Sequence, residues 1–163
     1  MTSSDSTTGH QFRPGEFAAE LEARNQFGES VQLSSTAGSP ALVMFYPFAF
    51  SSVCSAELTQ IINRWDEITT LGATVLAVSC DPMFALRAYA EHLKAPAGLH
   101  LLSDFWPHGH NAQRWGVFNR DRGSATRTGF VLDRHLVIQE ISEVDVAVSR
   151  DINHMIRSLQ DHW

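Results

Sequence analysis

The sequence predicts an α/β domain in which a central mixed β-sheet is flanked by helices. Short continuous apolar runs at residues 41–45 and 74–79 are typical of strands buried on both faces. Each run is followed by a segment whose apolar residues recur at helical spacing. Two more strands and a last helix follow. Strands joined through helices run parallel and strands joined by a tight turn run antiparallel, so we expect both arrangements in one sheet.

The individual elements follow from the same patterns. A β-hairpin is predicted over residues 16–33, with its turn at residues 25–28. The first helix is predicted over residues 52–69 and the second over residues 82–94, which has a proline at its start. The later elements are strands over residues 127–133 and 135–140, a tight turn at 133–134, and a helix over 145–163.

Length and charge limit the classes of function. A chain of 163 residues suits one domain, which we place at residues 12–163 after a disordered tail at residues 1–11. The net charge of −6 argues against nucleic acid or an anionic membrane surface as a partner. No apolar run approaches the roughly 18 residues that cross a bilayer, and the N-terminal residues do not resemble a signal peptide. We therefore expect a cytoplasmic protein.

The strongest functional signal is a cysteine at the start of a predicted helix. Residues 46–57 read YPFAFSSVCSAE, so Cys54 follows a buried strand and lies in the first turn of the next helix. Unpaired backbone N–H groups there favour an anion. Only the thiolate is a strong nucleophile, and a cysteine with the ordinary pKa of about 8.5 is mostly protonated at neutral pH. The segment therefore predicts a reactive thiolate at the carboxyl edge of the sheet, where open α/β sheets place their sites.

Two neighbours of the cysteine have both a functional and an ordinary interpretation. Ser51 precedes Cys54 by three residues, so its hydroxyl can hold a small oxygen-bearing substrate or simply cap the helix. Pro47 either shapes the site or only ends the strand. The residues alone leave both alternatives open.

Taken together, Pro47, Ser51 and Cys54 after an apolar strand resemble the active-site motif of the peroxiredoxins, in which threonine is commoner at the position of Ser51. Residues 101–109 (LLSDFWPHG), 115–119 (WGVFN) and 127–133 (RTGFVLD) look like the AhpE-type one-cysteine branch of that family. These motifs come in the family's order and span roughly residues 12–160. The resemblance implies a thioredoxin-like fold with an added N-terminal β-hairpin.

The resemblance also implies roles for individual residues. Cys54 would be the thiolate that attacks hydrogen peroxide or organic hydroperoxides and becomes a sulfenic acid. Arg127 would approach the thiolate, Ser51 would bind the peroxide, and Pro47 would shield the site from bulk water. Glu57 would orient Arg127, and the backbone N–H groups of Val53 and Cys54 would hold the attacked oxygen. Spacing alone would leave Arg127 as an ordinary strand residue.

The second cysteine decides between two mechanisms. Cys80 follows the predicted strand at 74–79, so it could lie at the same sheet edge as Cys54 and resolve its sulfenic acid. It matches no usual resolving position, and small cysteines are common in cores. A disulfide would also need the two Cα atoms within about 7 Å. We therefore expect a one-cysteine enzyme regenerated by an external thiol, either a low-molecular-weight thiol with a glutaredoxin-like partner or thioredoxin.

Other patterns carry weaker signals. His108 and His110 are two histidines without an obvious third ligand, so no metal site and no cofactor are expected. Aromatic residues flank the motifs, and exposed ones would suggest either a dimer interface or an apolar approach for organic hydroperoxides. The resemblance implies a homodimer. The absence of a C-x-x-C pair disfavours a thiol–disulfide oxidoreductase. The alternative to a peroxidase is a redox sensor or binding module in which Cys54 is oxidised without rapid turnover.

Overall fold

A seven-stranded mixed sheet forms the centre of the structure, a computed structural model that describes residues 11–163. The strand order is β2-β1-β5-β4-β3-β8-β9, and β6 and β7 form a separate small hairpin. The strands are β1 Glu22–Arg24, β2 Ser30–Gln32, β3 Ala41–Phe45, β4 Thr74–Ser79, β5 Leu99–Ser103, β6 Phe118–Asn119, β7 Ser124–Ala125, β8 Arg127–Leu132 and β9 Ile138–Val144. The tail expected at residues 1–11 lies, except for Gln11, outside the described residues.

Parallel and antiparallel pairs meet in this sheet as expected. Strands β3, β4 and β5 are parallel, whereas β8 pairs antiparallel with β3 and β9. The helices are α1 Ser52–Asn63, α2 Trp65–Thr70, α3 Met83–Leu93, α4 His110–Arg114 and α5 Ile152–Asp161, with a 3₁₀ turn at Leu33–Thr36. Every residue of β3 is buried, which explains its continuous apolar run. No helix within residues 11–163 is long and apolar enough to cross a bilayer.

Two apolar cores cover the two faces of the sheet. On one face, residues of α1, α3 and α5 pack against alternate residues of β3 and β4, including Leu42 and Ala77. On the other face, Trp115 packs edge to face against Phe130, with ring centroids 4.9 Å apart, and also contacts Phe45. Because both faces are filled, the sheet is a rigid support for the loops at its carboxyl edge.

The predicted N-terminal hairpin is confirmed, and it joins the central sheet through a strand that the sequence patterns did not reveal. Strand β5 pairs with both β4 and β1. The buried side chain of Gln26 fixes the hairpin turn to this strand, donating to the Leu99 carbonyl and accepting from the Leu101 N–H, both at 2.9 Å. His100 interrupts the apolar run of β5, which explains why the strand was missed.

Three predicted boundaries were wrong. The helix expected over residues 52–69 is two helices separated at Arg64, whose N–H donates to the Ile61 carbonyl only three residues back. The turn expected at 133–134 is longer, because the Asp133 side chain accepts from the N–H groups of His135 and Val137. Strand β9 therefore begins at Ile138 rather than at residue 135. The last helix begins at residue 152 rather than 145, after an N-cap hydrogen bond from the His154 N–H to the Asp151 side chain.

Candidate active site

The predicted reactive cysteine lies where the loop after β3 enters α1. Ser51 has an extended backbone, with φ −71° and ψ 149°, and is the N-cap of α1. Its hydroxyl oxygen accepts from the Cys54 N–H at 3.3 Å. Cys54 therefore lies in the first turn of α1, as predicted, and Ser51 does cap the helix. A cap satisfies a backbone donor that would otherwise be unpaired.

A cavity of about 160 Å³ opens beside this helix start. Its lining comes from four separate segments of the chain and consists of Pro47, Phe48, Ser51, Ser52, Val53, Arg122, Arg127 and Val146. Cys54, the next residue in sequence after Val53, is only 1% exposed and does not itself line the cavity. The structure thus brings together Pro47, Ser51, Val53 and Arg127, four of the residues that the sequence singled out, in a space the size of a small molecule.

The loop that carries Pro47 is tied to the ends of the neighbouring strands. The Ala49 N–H donates to Asp81 Oδ2 at 2.9 Å, and the Ser79 hydroxyl donates to the same oxygen at 2.7 Å. Phe50 adopts a left-handed backbone with φ +67°, and its ring lies 4.8 Å from that of Tyr89. Such a conformation is uncommon for a bulky residue and persists only where the surroundings hold it. The loop is therefore fixed by tertiary contacts.

Antiparallel pairing brings Arg127 to the helix start. Phe45 is paired with Thr128, so Arg127 begins β8 at the edge where the loop leaves β3. Arg127 is 2% exposed; its Nη1 donates to Glu57 Oε1 at 2.8 Å, and its Nε and Nη2 donate to the Val146 carbonyl at 3.1 and 2.8 Å. A guanidinium has five N–H donors, so two are left for other acceptors.

Glu57 is the buried partner of two arginines. Its carboxylate accepts from Arg127 and also from Arg150, through the Arg150 backbone N–H, Nε and Nη2 at 2.6, 3.0 and 2.7 Å. Burial alone would raise the pKa of Glu57, but the hydrogen bonds and charge of Arg150, aided by Arg127, lower it below its ordinary value. Two buried cations on one buried carboxylate leave a net positive charge beside the cavity.

Sequence reasoning missed Arg150. It precedes α5, in a segment predicted to be helical, and its Nη1 also donates to the Phe45 carbonyl at 2.8 Å. Periodicity gives no signal for such a residue, because its partners lie 93 and 105 positions away. It joins the end of β3, helix α1 and the segment before α5 around one carboxylate.

Cys80 lies apart from this cavity. It follows β4, is buried, and is a free thiol, as is Cys54. Burial, the main cause, and the nearby carboxylates of Asp104 and Asp81 raise the pKa of Cys80 to about 12. Its thiol is therefore protonated at neutral pH, and a protonated thiol is a weak nucleophile.

His108 and His110 are not part of a metal-binding cluster among the residues that the structure describes. His108 Nε2 lies 2.6 Å from the Gly123 carbonyl oxygen, and its ring packs edge to face with Phe118. Among residues 11–163, no three or more His, Cys, Asp or Glu side chains are arranged to hold a metal ion.

The chain is similar to proteins of one family over most of its length. The sequence profile of the AhpC/TSA family matches residues 14–141. The chain is 35% identical over 126 residues to alkyl hydroperoxide reductase E of Mycobacterium tuberculosis, covering 77% of this chain and 81% of the relative. It is 31% identical over 150 residues to peroxiredoxin-2 of Macaca fascicularis, covering 89% and 74%.

The fold has solved counterparts. The peroxidoxin BcpB of Mycobacterium tuberculosis superposes with a TM-score of 0.81 at 25% identity, over 93% of this chain and 98% of that structure.

Proposed function

Because the chain belongs to the AhpC/TSA family, the peroxiredoxins, and is a thiol-dependent peroxidase, we propose that Cys54 is the residue whose thiolate attacks the peroxide. The resemblance seen in the sequence and the thioredoxin-like fold that it implied are both confirmed. The observation that carries the assignment of the site is the shared cavity. Arg127, from a distant strand, lines it together with Pro47, Ser51 and the residue next to Cys54.

Two anions must be stabilised in the proposed reaction, first the Cys54 thiolate and then the departing oxygen. The Cys54 thiolate attacks the terminal peroxide oxygen and the O–O bond breaks. The leaving oxygen takes the electron pair and a proton and departs as water or an alcohol. Cys54 is then a sulfenic acid. Cationic groups and backbone N–H donors stabilise both the thiolate and the departing oxygen, and the helix start with its neighbouring guanidinium supplies them.

Each neighbour has a defined part in this proposal. The two unused N–H donors of Arg127 and the hydroxyl of Ser51 bind the peroxide, and the backbone N–H of Val53 faces the attacked oxygen. Pro47 shields the cavity from bulk water. Glu57 is a positioning residue, because it holds Arg127 by the 2.8 Å hydrogen bond.

We propose a one-cysteine mechanism. A resolving cysteine must be a thiolate to attack the sulfenic acid, and the raised pKa of Cys80, about 12, opposes this. An external thiol therefore reduces Cys54, either a low-molecular-weight thiol with a glutaredoxin-like partner or thioredoxin. The two free thiols suit the reducing cytoplasm. The peroxide substrates that we propose are hydrogen peroxide and organic hydroperoxides, in keeping with the name of the 35% identical relative.

We also propose a homodimer. Exposed aromatic side chains lie together near the carboxyl edge of the sheet, where Trp106 is 82% exposed and lines a surface pocket with Phe105 and Met83; Phe84 is adjacent in sequence and exposed. Several large apolar side chains exposed in one region favour a protein partner. Sedimentation of the wild-type chain and of Trp106→Glu tests this. A wild-type dimer that the substitution dissociates supports it, and a wild-type monomer contradicts it.

The proposed function is tested by peroxide consumption with a thiol reductant in excess. Cys54→Ser abolishes turnover, whereas Cys80→Ser keeps it. A Cys54→Ser protein with full activity would overturn the assignment. If Cys54 were oxidised once but not recycled by any thiol, the redox-sensor alternative would replace the peroxidase.

A further inference from the structure

Arg122 is a second guanidinium at the active-site cavity, and the reaction described above does not use it. It lines the cavity with Ser51 and Arg127, but unlike Arg127 it is exposed. Its backbone N–H donates to Asn119 Oδ1 at 3.1 Å. Its guanidinium makes no hydrogen bond or ion pair with any of residues 11–163. It is thus a cation at the mouth of the site whose donors remain available.

The loop that carries Arg122 is well anchored. It connects β6 to β7, and the Gly123 N–H donates to the Asn119 carbonyl at 2.9 Å. His108 Nε2 lies 2.6 Å from the Gly123 carbonyl oxygen and ties the loop to the segment before α4. The hairpin is extended by a hydrogen bond of 2.7 Å from the Thr126 N–H to the Val117 carbonyl. The backbone at Arg122 is therefore fixed beside the cavity.

The cavity is locally positive in a chain whose net charge is −6. Its described lining contains two arginines and the start of α1, and no carboxylate. The negative charge of Glu57 is taken up by Arg127 and Arg150. Asp121 and Asp145 are exposed neighbours in sequence of lining residues but do not line the cavity themselves. A negatively charged co-substrate would therefore be attracted to the arginines that line this cavity.

We propose that Arg122 selects small co-substrates that carry a carboxylate, which its guanidinium binds while the reacting group enters the cavity. This rests on the proposed reaction at Cys54. The space of about 160 Å³ holds only a small reacting group, so the rest of the molecule lies at the mouth beside Arg122. A guanidinium matches a carboxylate through paired N–H donors.

The carboxylate can belong to either of two co-substrates. In the oxidation step it is carried by an organic hydroperoxide, which leaves as the corresponding alcohol. In the reduction step it is carried by the external thiol. The thiolate sulfur attacks the sulfenic sulfur of Cys54, the S–O bond breaks, and hydroxide leaves and takes a proton to become water. A second thiolate then attacks the mixed disulfide at the co-substrate sulfur and releases Cys54 as a thiolate.

The experiment compares Arg122→Glu with Arg120→Glu, which makes the same charge change on an exposed residue of the same loop that does not line the cavity. Stopped-flow kinetics measure the two half-reactions separately. The oxidation arm uses 4-hydroperoxy-4-methylpentanoate against neutral tert-butyl hydroperoxide. The reduction arm uses 3-mercaptopropionate against neutral 2-mercaptoethanol. The measured quantity in each arm is the rate constant with the anionic co-substrate divided by the rate constant with the neutral one.

Arg122→Glu is expected to lower this ratio about five-fold or more in at least one arm. The attraction between two opposite charges about 4 Å apart in water changes a binding or rate constant by roughly that factor, and the substitution removes it. Arg122→Gln gives an intermediate ratio, and Arg120→Glu leaves it near the wild-type value. Raising the salt concentration shrinks the effect, because the Debye length is about 10 Å at 0.1 M.

The arm that responds identifies which co-substrate carries the carboxylate. A ratio unchanged in both arms, or lowered equally by Arg120→Glu, overturns the proposal for Arg122 while leaving the peroxidase intact. Failure of hydrogen peroxide to oxidise wild-type Cys54 would instead overturn the proposed function, and this inference with it.

Discussion

Arg127 and Glu57 are joined by a 2.8 Å hydrogen bond across 70 positions of sequence, and both side chains are almost fully buried. Glu57 lies on the second turn of α1, three residues after Cys54, and Arg127 begins β8. The ion pair therefore fixes the guanidinium against the helix whose first turn carries the thiol. Removing one partner of a buried pair leaves an uncompensated charge, which commonly costs about 3–5 kcal/mol.

Replacing Arg127 tests the guanidinium in the reaction. Arg127→Met is expected to slow the oxidation of Cys54 by hydrogen peroxide by roughly 10²–10³-fold, the usual effect of removing one donor to a developing oxyanion. Arg127→Lys keeps the charge but loses the fixed fork of donors, so its rate lies in between. Stopped-flow measurement of the oxidation rate checks both variants. Equal rates for wild type and Arg127→Met would contradict the proposed role.

The pKa of Glu57 predicts a loss of stability in acid. It is lowered in the folded protein, so ionised Glu57 contributes stability above its unfolded pKa of about 4.3, and this contribution is lost as the pH falls through the lower folded pKa. Glu57→Gln should be less stable than wild type at pH 7, and the difference should shrink below about pH 4. Urea unfolding across this pH range measures it. A difference that is independent of pH would contradict the ion pair.

The raised pKa of Cys80 predicts the opposite dependence of stability on pH, a loss in alkali. Its pKa is raised to about 12, so the buried neutral thiol contributes stability below its unfolded pKa of about 8.5, and this contribution is lost as the pH rises toward 12. Cys80→Ala should lose this part of the alkaline destabilisation. Urea unfolding between pH 8 and about 11 tests it, with Arg120→Ala, a substitution of an exposed residue, as the control. If the free energy of unfolding fell equally with pH in wild type and in Cys80→Ala, the raised pKa of Cys80 would be contradicted.

Gly109 is expected to tolerate no side chain. Its backbone has φ +70°, and a Cβ would lie 2.3 and 2.5 Å from two ring atoms of Phe118. Gly109→Ala should therefore destabilise the fold by about 2–5 kcal/mol, through backbone strain of about 1–2 kcal/mol together with overpacking of about 1–3 kcal/mol. Gly72→Ala is the matched control, because Gly72 has the same φ of +70° while its Cβ would meet only the Ser39 Oγ, at an ordinary contact distance of 3.7 Å. If both variants lost the same stability, the contact with Phe118 would not matter.

The sequence predicted the elements best where local pattern and tertiary packing agree. The runs that became β3 and β4 are buried on both faces, and the cap at Ser51 marks the start of α1 as predicted. Boundaries failed where side chains decide them, as at Asp133, whose carboxylate organises the turn before β9.

The active-site residues divide in the same way. The position of Cys54 at a predicted helix start indicated a reactive thiolate, whereas the functional roles of Pro47 and Ser51 followed only from the family resemblance. Arg127 required the family resemblance, because only the antiparallel pairing of β8 with β3 brings it there. Arg150 and Arg122 lie on irregular segments whose position depends on the whole fold, and neither periodicity nor motif indicates them.

Mass spectrometry after one equivalent of hydrogen peroxide tests the central claim most directly. The reduced protein is treated with peroxide, the sulfenic acid is trapped with a dimedone reagent, and the peptides are mapped. We predict the trapped adduct on Cys54, with Cys80 unmodified and reduced. An adduct on Cys80 in place of Cys54 would contradict the assignment of the site, and a disulfide between Cys54 and Cys80 would contradict the one-cysteine mechanism.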